Sequence, residues 1–195
     1  MRLLLLCFLV VCTGCYEEAY VNEMGKEIPN NECGNIPHAK TFRYAAELYL
    51  PSPYKHQYWF SVGQCFVESH FREKAESHAG AQGLCQFLPT TWHEVELKLG
   101  QELDIWDAKD QILASNYYMS GLYKQWSPPQ ARTQEDHRRL SQASYNGGLK
   151  TVLDGQKKAR GAMNWQSIEK HLPKESREYP LKIEAAVQRL CNVGG

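Results

Sequence analysis

The sequence predicts a mainly α-helical fold built as a single domain. Apolar residues recur at helical spacing in several stretches, of which residues 107–126 are the longest. The sequence contains no convincing run of alternating apolar and polar residues, the pattern of half-buried strands, and no internal repeat. Of its 195 residues, 43% are hydrophobic and 23% are charged. This composition is typical of a globular protein with a core.

Each predicted helix has its own start or stop signal. Pro37 suits the first turn of a helix that continues to Leu50 and is stopped by Pro51. A second helix is expected at about 55–69, and the glycine-containing residues 70–83 should form a loop or a short hairpin. The remaining helices are expected after Pro89 to about Leu99 with Gly100 as the stop, at 107–126 before Pro128-Pro129, at 134–146 before Gly147-Gly148, and at 175–191 with Pro180 in or before its first turns.

The N-terminal residues have the pattern of a secretory signal. Arg2 precedes an apolar run from Leu3 to Val11, which is shorter than the roughly 20 residues that span a bilayer. Small residues then precede Cys15, as in the lipobox of bacterial lipoproteins. We expect residues 1–14 to be removed and Cys15 to carry a lipid anchor. Cys12 departs from the lipobox, which prefers an aliphatic residue there, so ordinary cleavage and a soluble exported protein are the alternative.

Residues 15–39 are expected to form an arm or tether ahead of the domain at 40–195, because the segment shows little periodicity. Tyr16 stands beside the predicted lipid anchor, where an aspartate is associated with retention in the inner membrane. The expected location is therefore the periplasm, with the protein anchored to the outer membrane.

Four of the seven cysteines remain once Cys7 and Cys12 leave with the signal and Cys15 is lipidated. These four are Cys33, Cys65, Cys85 and Cys191. An even number in an exported protein predicts two disulfides, with three possible connectivities. A bond between Cys33 and Cys191 would leave Cys65 for Cys85, but the sequence does not decide the pairing. No cysteine or histidine pair has zinc-ligand spacing in the mature part, so a zinc site is not expected.

The charge balance argues against a nucleic-acid partner. The chain has 22 Lys and Arg residues and 22 Asp and Glu residues, for a formal net charge of zero. A protein that binds phosphate backbones normally shows a basic excess. A neutral or polar ligand fits this composition better.

Glu68 is the candidate catalytic residue. Its neighbours Phe66, Val67 and Phe71 are apolar, and a carboxyl in apolar surroundings has a raised pKa. Such a group can donate a proton near neutral pH and take one back, as cleavage of a glycosidic bond requires. A solvated glutamate at a helix end is the alternative interpretation of this residue taken alone.

Two further segments carry ligand-binding side chains. Gln86 follows two glycines that allow tight turns, and its amide offers a donor and an acceptor, which an N-acetyl group needs. Tyr145 and Asn146 precede a Gly-Gly break. The hydroxyl of Tyr145 could bond to the carboxyl of Glu68, and the amide of Asn146 could hold a sugar. A turn with a packed tyrosine is the alternative.

Together these segments resemble the lytic transglycosylase family, in its soluble catalytic domain that is similar to goose-type lysozyme. The family pattern is Glu-Ser, then Gly-Leu-Met-Gln-x-x-Pro-x-Thr, then Tyr-Asn-x-Gly, then Glu-Thr-x-x-Tyr. Here the elements stand in the same order as Glu68-Ser69, Gly83-Leu84-Cys85-Gln86-Phe87-Leu88-Pro89-Thr90-Thr91, Tyr145-Asn146-Gly147-Gly148 and Glu175-Ser176-Arg177-Glu178-Tyr179. Cys85 replaces Met and Ser176 replaces Thr; a half-cystine at 85 could fix the loop that Met otherwise packs.

The resemblance implies a lysozyme-like fold and peptidoglycan as the substrate, and it implies no metal and no cofactor. It implies that Glu68 protonates the oxygen between N-acetylmuramic acid and N-acetylglucosamine, and then takes a proton from the muramyl 6-hydroxyl. That hydroxyl closes a 1,6-anhydro ring without water. The residues that would position Glu68 or the sugars are Ser69, Gln86, Tyr145, Asn146 and Tyr179.

Two alternatives remain open. A hydrolytic muramidase on the same fold would leave reducing ends, and it would use a second carboxylate. The sequence offers only Glu73 and Glu76 in the following loop, both expected to be solvated. The other alternative is a non-catalytic lipoprotein that binds peptidoglycan.

Overall fold

A computed structural model describes Cys33, residues 35–127 and residues 132–191. These residues form eight α-helices and two short 3₁₀ turns, and their β-bridges are isolated ones. The helices are α1 (Ala39–Tyr49), α2 (Trp59–Ser69), α3 (Pro89–Leu99), α4 (Ala108–Gln125), α5 (Gln134–Gly147), α6 (Leu149–Lys158), α7 (Trp165–Ile168) and α8 (Lys174–Leu190), with 3₁₀ turns at Tyr54–Gln57 and Glu169–His171. The predicted mainly α fold is confirmed.

Some predictions fall where the structure gives no description. The signal segment 1–14, the lipid-bearing Cys15, most of the arm and the stop at Pro128-Pro129 lie outside the described residues. In the ranges that are described, no helix has the length and apolar character needed to cross a membrane. The start of the domain at residue 40 stays a prediction.

Local signals in the sequence set several helix ends. Pro89 is the first residue of α3, and Gly100 ends that helix in the left-handed conformation with φ of 66°. The carboxylate of Asp107 accepts hydrogen bonds from the backbone N–H groups of Lys109 and Asp110 and so caps α4. These ends agree with the sequence analysis.

Three features differ from the predictions. Pro37 precedes α1 instead of lying in its first turn, because His38 adopts a left-handed conformation with φ of 58° between them. The helix expected at 55–69 is divided into the 3₁₀ turn and α2. The chain also resumes a helix at Leu149, which was not predicted, because Gly148 with φ of 82° redirects the backbone without ending helical structure.

The close packing of α2 against α8 fixes the end of α2 that carries Glu68. Gly63 of α2 makes this approach possible, since a Cβ there would lie 2.8 Å from Val187 Cγ2 and 3.0 Å from the carbonyl oxygen of Ile183. Both partner residues are in α8 and are buried. Helix α5 also packs on α8, and its last residue, Gly147, lies against Ser176 in the first turn of α8. The three helices therefore converge near Glu68.

Both disulfides that the sequence analysis considered are present. One joins Cys33 to Cys191, and the other joins Cys65 to Cys85. Cys65 lies in α2, one turn before Glu68, and Cys85 lies in the loop that leads to α3. The second bond therefore ties the candidate catalytic helix to the segment that contains Gln86.

Candidate active site

Glu68 lies in the last turn of α2 and is partly buried. The chain turns away directly after it, because His70 and Phe71 both have left-handed backbone conformations, with φ of 56° and 60°. The hydroxyl of Tyr179 in α8 donates a hydrogen bond to Glu68 Oε1. The contact between α2 and α8 thus sets the position of the carboxyl group.

The environment of Glu68 raises its pKa from 4.5 to about 7. Burial is the largest cause, because it disfavours the charged form. The hydrogen bond from Tyr179 favours the charged form and lowers the pKa, whereas the negative charge of Glu175 raises it. At neutral pH both forms of the carboxyl are populated, so this group can donate or accept a proton.

Ser69 links the loop before α3 to helix α2. Its side chain is buried, and its hydroxyl donates to the carbonyl oxygen of Leu84 at 2.7 Å. The Cys65–Cys85 disulfide makes a second link between the same two segments. Ser69 therefore positions this loop relative to α2.

The side chain of Gln86 is folded into its own loop. Gln86 has φ of 56°, and its amide nitrogen donates to the carbonyl oxygens of Ala75 at 3.1 Å and Gly83 at 2.9 Å. Both amide hydrogens are therefore engaged within the protein. The predicted contact of Gln86 with an N-acetyl group stays a prediction.

Gln111 holds the loop from the other side, and sequence analysis did not identify it. It is fully buried in α4, and its amide oxygen accepts from the backbone N–H of Cys85 at 2.9 Å. Its amide nitrogen donates to the carbonyl oxygens of Gln82 at 3.2 Å and Ile105 at 2.7 Å. The sequence did contain a signal for this role, because Gln111 stands beside Ile112 on the predicted buried face of α4. A buried amide needs several hydrogen-bond partners.

Tyr145 occupies a different role from the one suggested by the sequence. Its hydroxyl donates to the carbonyl oxygen of Cys85 at 2.9 Å, and its ring packs edge-on against Phe87 and Tyr118. The hydrogen bond to the carboxyl of Glu68 comes from Tyr179 instead. Tyr145 therefore supports the loop while its ring faces the cavity.

A cavity of about 400 Å³ brings most of the predicted site residues together. Its lining includes Glu68, Gln86, Tyr145 and Asn146. Ser69 and Tyr179 lie behind this surface and hold the loop and the carboxyl group. Binding of a sugar by Asn146 stays a prediction that its position in the cavity allows.

Glu175 is a second carboxylate in this cavity, and sequence analysis did not assign it that place. It is exposed in the first turn of α8. The spacing between Glu175 and Tyr179 could have indicated this position, since residues four apart lie on the same face of a helix. Glu73 and Glu76 are elsewhere: their carboxylates lie 2.9 Å from His38 Nε2 and 3.5 Å from Gln82 Nε2.

Comparisons with known proteins identify the family and the fold of the chain. The family described as "Transglycosylase SLT domain" matches residues 65–168, just over half of the chain. The chain belongs to this family. Glu68, Gln86, Tyr145 and Asn146 lie inside the matched range, whereas Glu175 and Tyr179 follow it.

Two solved structures show the same lysozyme-like fold. The 70 kDa soluble lytic transglycosylase SLT70 from Escherichia coli superposes with a TM-score of 0.63 at 20% identity, over 77% of this chain and 24% of that one. An inactive mutant of the lytic transglycosylase Slt from Pseudomonas aeruginosa gives 0.61 at 21% identity, over 78% and 24%. The chain thus spans about a quarter of the length of these proteins. No curated protein matches the sequence. The predicted lysozyme-like fold class is confirmed.

Removal of the Cys65–Cys85 disulfide is expected to loosen the loop of the site. Replacing both cysteines by alanine removes a covalent bond between residues that are 20 positions apart in the sequence. The expected loss of stability is about 3 kcal/mol. The expected result is a lower melting temperature and faster amide hydrogen exchange in residues 83–88. The matched control replaces Cys33 and Cys191, which should lower the melting temperature without selectively speeding exchange in that loop. Equal exchange of the loop in both variants would contradict this role of the disulfide.

Proposed function

We propose that the protein is a peptidoglycan lytic transglycosylase that uses Glu68 as its single acid and base. It cleaves the β-1,4 bond between N-acetylmuramic acid and N-acetylglucosamine and leaves 1,6-anhydro ends on the muramyl sugar. The observation that carries the proposal is a carboxyl with a pKa of about 7 in the wall of a cavity. Membership of the transglycosylase family supports it.

The proposed cycle needs one carboxyl group. Protonated Glu68 gives its proton to the glycosidic oxygen as the bond to the muramyl anomeric carbon breaks. The carboxylate then accepts the proton of the muramyl 6-hydroxyl, whose oxygen forms a new bond to the same carbon. Glu68 ends the cycle protonated, and no water is consumed. Between the two steps, the hydrogen bond from Tyr179 stabilises the carboxylate.

The position of Glu175 supports one alternative, a hydrolytic muramidase. Two carboxylates beside a glycosidic bond are the usual equipment of a hydrolase, in which the second acts as a nucleophile or activates water. In the proposed transglycosylase, Glu175 instead stabilises the positive charge that develops at the anomeric carbon, and its own charge raises the pKa of Glu68. The two functions therefore give different roles to the same side chain.

Product masses and a Glu175→Gln variant separate these possibilities. Purified peptidoglycan is digested, and the released fragments are weighed. A transglycosylase gives fragments one water lighter than hydrolytic ones, and Glu175→Gln slows the reaction without changing the product. Reducing ends, together with complete loss of activity in Glu175→Gln, would contradict the proposal and establish a muramidase. A non-catalytic binding protein would release no fragments.

The reaction rate is expected to fall as pH rises through about 7. The first step needs protonated Glu68, and the protonated fraction decreases above its pKa of about 7. The rate of fragment release, measured across pH 5 to 9, tests this. A decline centred near 4.5 would mean that Glu68 behaves as a solvated glutamate and would contradict the account.

Two variants should move this decline in opposite directions. Tyr179→Phe removes a hydrogen bond that lowers the pKa of Glu68, so the decline should shift to higher pH. Glu175→Gln removes a negative charge that raises the pKa, so the decline should shift to lower pH. A merely structural role for either residue would change the rate and leave the pH of the decline in place.

The proposed substrate is consistent with the exported location that the N-terminal pattern predicts. We propose that Cys15 anchors the protein by a lipid to the outer membrane, facing the periplasm. Fractionation of cells that express the full chain or Cys15→Ala tests the anchor. Recovery of the variant in the soluble periplasmic fraction supports it, and equal recovery of both proteins in the membrane fraction would contradict it.

A further inference from the structure

A second cavity lies at the opposite end of α2 from Glu68. Its volume is about 430 Å³, which is within the range of small-ligand sites. Its lining comes from the start of α2, the first turns of α5 and the second half of α8, and it includes Trp59, Phe60, Gln134, Arg138, Glu184 and Gln188. Trp59 is the first residue of α2 and stands nine positions before Glu68, or roughly 14 Å away along the helix axis. Of the described residues, none lines both cavities.

Trp59 gives the second cavity an aromatic wall. Of the five tryptophans in the sequence, Trp92, Trp126 and Trp165 are buried in the core, whereas Trp59 is only partly buried. The ring of Phe60 lies next to it in the lining. An aromatic ring that stays open to a cavity can bury the apolar face of a ligand. The cavity therefore suits a ligand that has such a face.

The charges in this lining are already paired with one another. Arg138 donates a hydrogen bond to Glu184 Oε1 at 2.9 Å, and Arg139 donates to both carboxylate oxygens of Glu184, at 2.9 and 3.0 Å. Glu135 lies 2.7 Å from Arg139 and extends the network, and the guanidinium of Arg138 lies 3.9 Å from the ring centroid of Phe60. An ionic ligand gains little from charges that are paired, and the pairs hold the wall in a fixed shape before a ligand arrives.

Three glutamine side chains supply hydrogen-bonding groups to the second cavity, and they are Gln57, Gln134 and Gln188. Within the part of the chain that the structure describes, no hydrogen bond engages these three amides. The amides of the buried residues Gln64 and Gln111, in contrast, are bonded inside the protein. Each free amide offers donors and an acceptor. A neutral ligand with both kinds of polar group fits this lining.

We propose that the second cavity binds a glycan strand of peptidoglycan, at a sugar other than those flanking the cleaved bond. This proposal rests on the proposed function for the identity of the polymer. N-acetylglucosamine is neutral, has a face of C–H groups that packs on the ring of Trp59, and carries hydroxyl and N-acetyl groups around its edge that the glutamine amides bind.

The second cavity would retain the protein on a polymer that repeats the same sugars. One part of the glycan occupies this cavity while another part lies beside Glu68. Two contacts with one polymer raise the effective concentration of glycan at the cavity that Glu68 lines. Insoluble peptidoglycan gains from this arrangement, whereas a short fragment that reaches only one cavity does not.

Binding to insoluble peptidoglycan, measured by co-sedimentation in a Glu68→Gln background, tests the proposal. Trp59→Ala should weaken binding by roughly tenfold, and Trp59→Phe, which keeps an aromatic ring, should weaken it less. Gln188→Leu should also weaken binding, and its side chain is exposed, so this variant is expected to fold. Trp106→Ala is the matched control, because Trp106 is also partly buried but lines neither cavity. It should bind as the Glu68→Gln protein does.

Cleavage by otherwise unmodified protein gives a second readout. Trp59→Ala and Gln188→Leu should raise the KM for insoluble peptidoglycan and leave the rate on short soluble glycan fragments unchanged. Unchanged binding and KM in both variants would overturn the proposal. An equal loss on short fragments would overturn it as well, because the substitutions would then act through the cavity that Glu68 lines or through the fold.

Glycan strands whose peptide stems have been removed enzymatically identify the ligand. The proposal predicts that Trp59→Ala loses as much affinity for these bare strands as for intact peptidoglycan. A loss confined to intact peptidoglycan would mean that the cavity holds peptide, and would overturn the proposal. If digestion yields no anhydro ends but the variants still bind bare strands more weakly, the proposed function fails while the glycan site stands.

Discussion

Glu68→Gln is expected to reduce peptidoglycan cleavage by roughly a thousandfold to ten-thousandfold, the upper range for loss of general acid–base catalysis. Glutamine has nearly the same size and can still accept the hydrogen bond of Tyr179, but it cannot donate and recover a proton. The rate of release of soluble fragments measures the effect. Binding to insoluble peptidoglycan, measured by co-sedimentation, should be retained because the cavity keeps its shape.

The matched control is Glu73→Gln. Glu73 lies in the loop after α2 with its carboxylate 2.9 Å from His38 Nε2, outside the cavity that Glu68 lines. This variant should cleave at nearly the wild-type rate. Wild-type activity in Glu68→Gln, or an equal loss in both variants, would contradict the assignment of Glu68.

Glu68→Gln should also change the stability of the protein, by an amount that depends on pH. The pKa of Glu68 is about 7 in the folded protein and near 4.5 in the unfolded chain, so the folded state holds the proton more firmly. Its contribution to stability is full below about pH 4.5 and is lost as pH rises through about 7, by about 3 kcal/mol at most. Glu68→Gln should therefore melt at a higher temperature than wild type at pH 8, and at nearly the same temperature at pH 4.5. An equal difference at both pH values would contradict the raised pKa.

Gly83→Ala is expected to destabilise the protein by about 3–5 kcal/mol, from backbone strain and lost buried hydrogen bonds. Gly83 has φ of 80°, and a Cβ there would lie 2.2 Å from Gln111 Nε2 and 2.5 Å from the carbonyl oxygen of Ile105. Gln111 would have to move, although its amide holds Cys85, Gln82 and Ile105 in place. Thermal or denaturant unfolding measures the loss, and cleavage should fall as well because this loop supports the cavity.

Gly80→Ala provides the control for Gly83→Ala. Gly80 has nearly the same backbone conformation, with φ of 79°, but a Cβ there would meet nothing within 4 Å. Only the cost of placing alanine in the left-handed backbone conformation remains, so a loss of stability of about 1 kcal/mol is expected. The difference between the two variants measures the contact with Gln111 and Ile105. Equal losses would show that this contact does not hold the loop.

The sequence predicted those parts of the fold that depend on local chemistry. Pro89, Gly100 and Asp107 act on the backbone of their own helix ends, so their effects can be deduced from neighbouring residues. The resemblance assigned Glu68, Gln86 and Asn146 to one site, and in the structure these three residues line the same cavity. The resemblance was more informative here than any single residue, since each motif alone had an ordinary structural explanation.

The remaining parts of the site depend on how the helices cross. Tyr179, and not Tyr145, donates to Glu68 because α2 and α8 approach closely at Gly63. The distance between two helices cannot be deduced from the sequence pattern of either one. Glu175 reaches the cavity for the same reason. Gln111 is a polar residue on a buried helix face. Its backbone partners at Cys85, Gln82 and Ile105 come together only when the chain is folded against α4.

The central claim is that Glu68 acts alone and that the muramyl 6-hydroxyl replaces water. Digestion of peptidoglycan in water enriched in oxygen-18 tests it most directly, with the muramyl end groups reduced and weighed at once after digestion. The account predicts anhydro ends that contain no oxygen-18, because their ring oxygen comes from the sugar itself. Muramyl ends that carry one oxygen-18 atom at the anomeric carbon would contradict it and would make Glu175 the candidate second catalytic group.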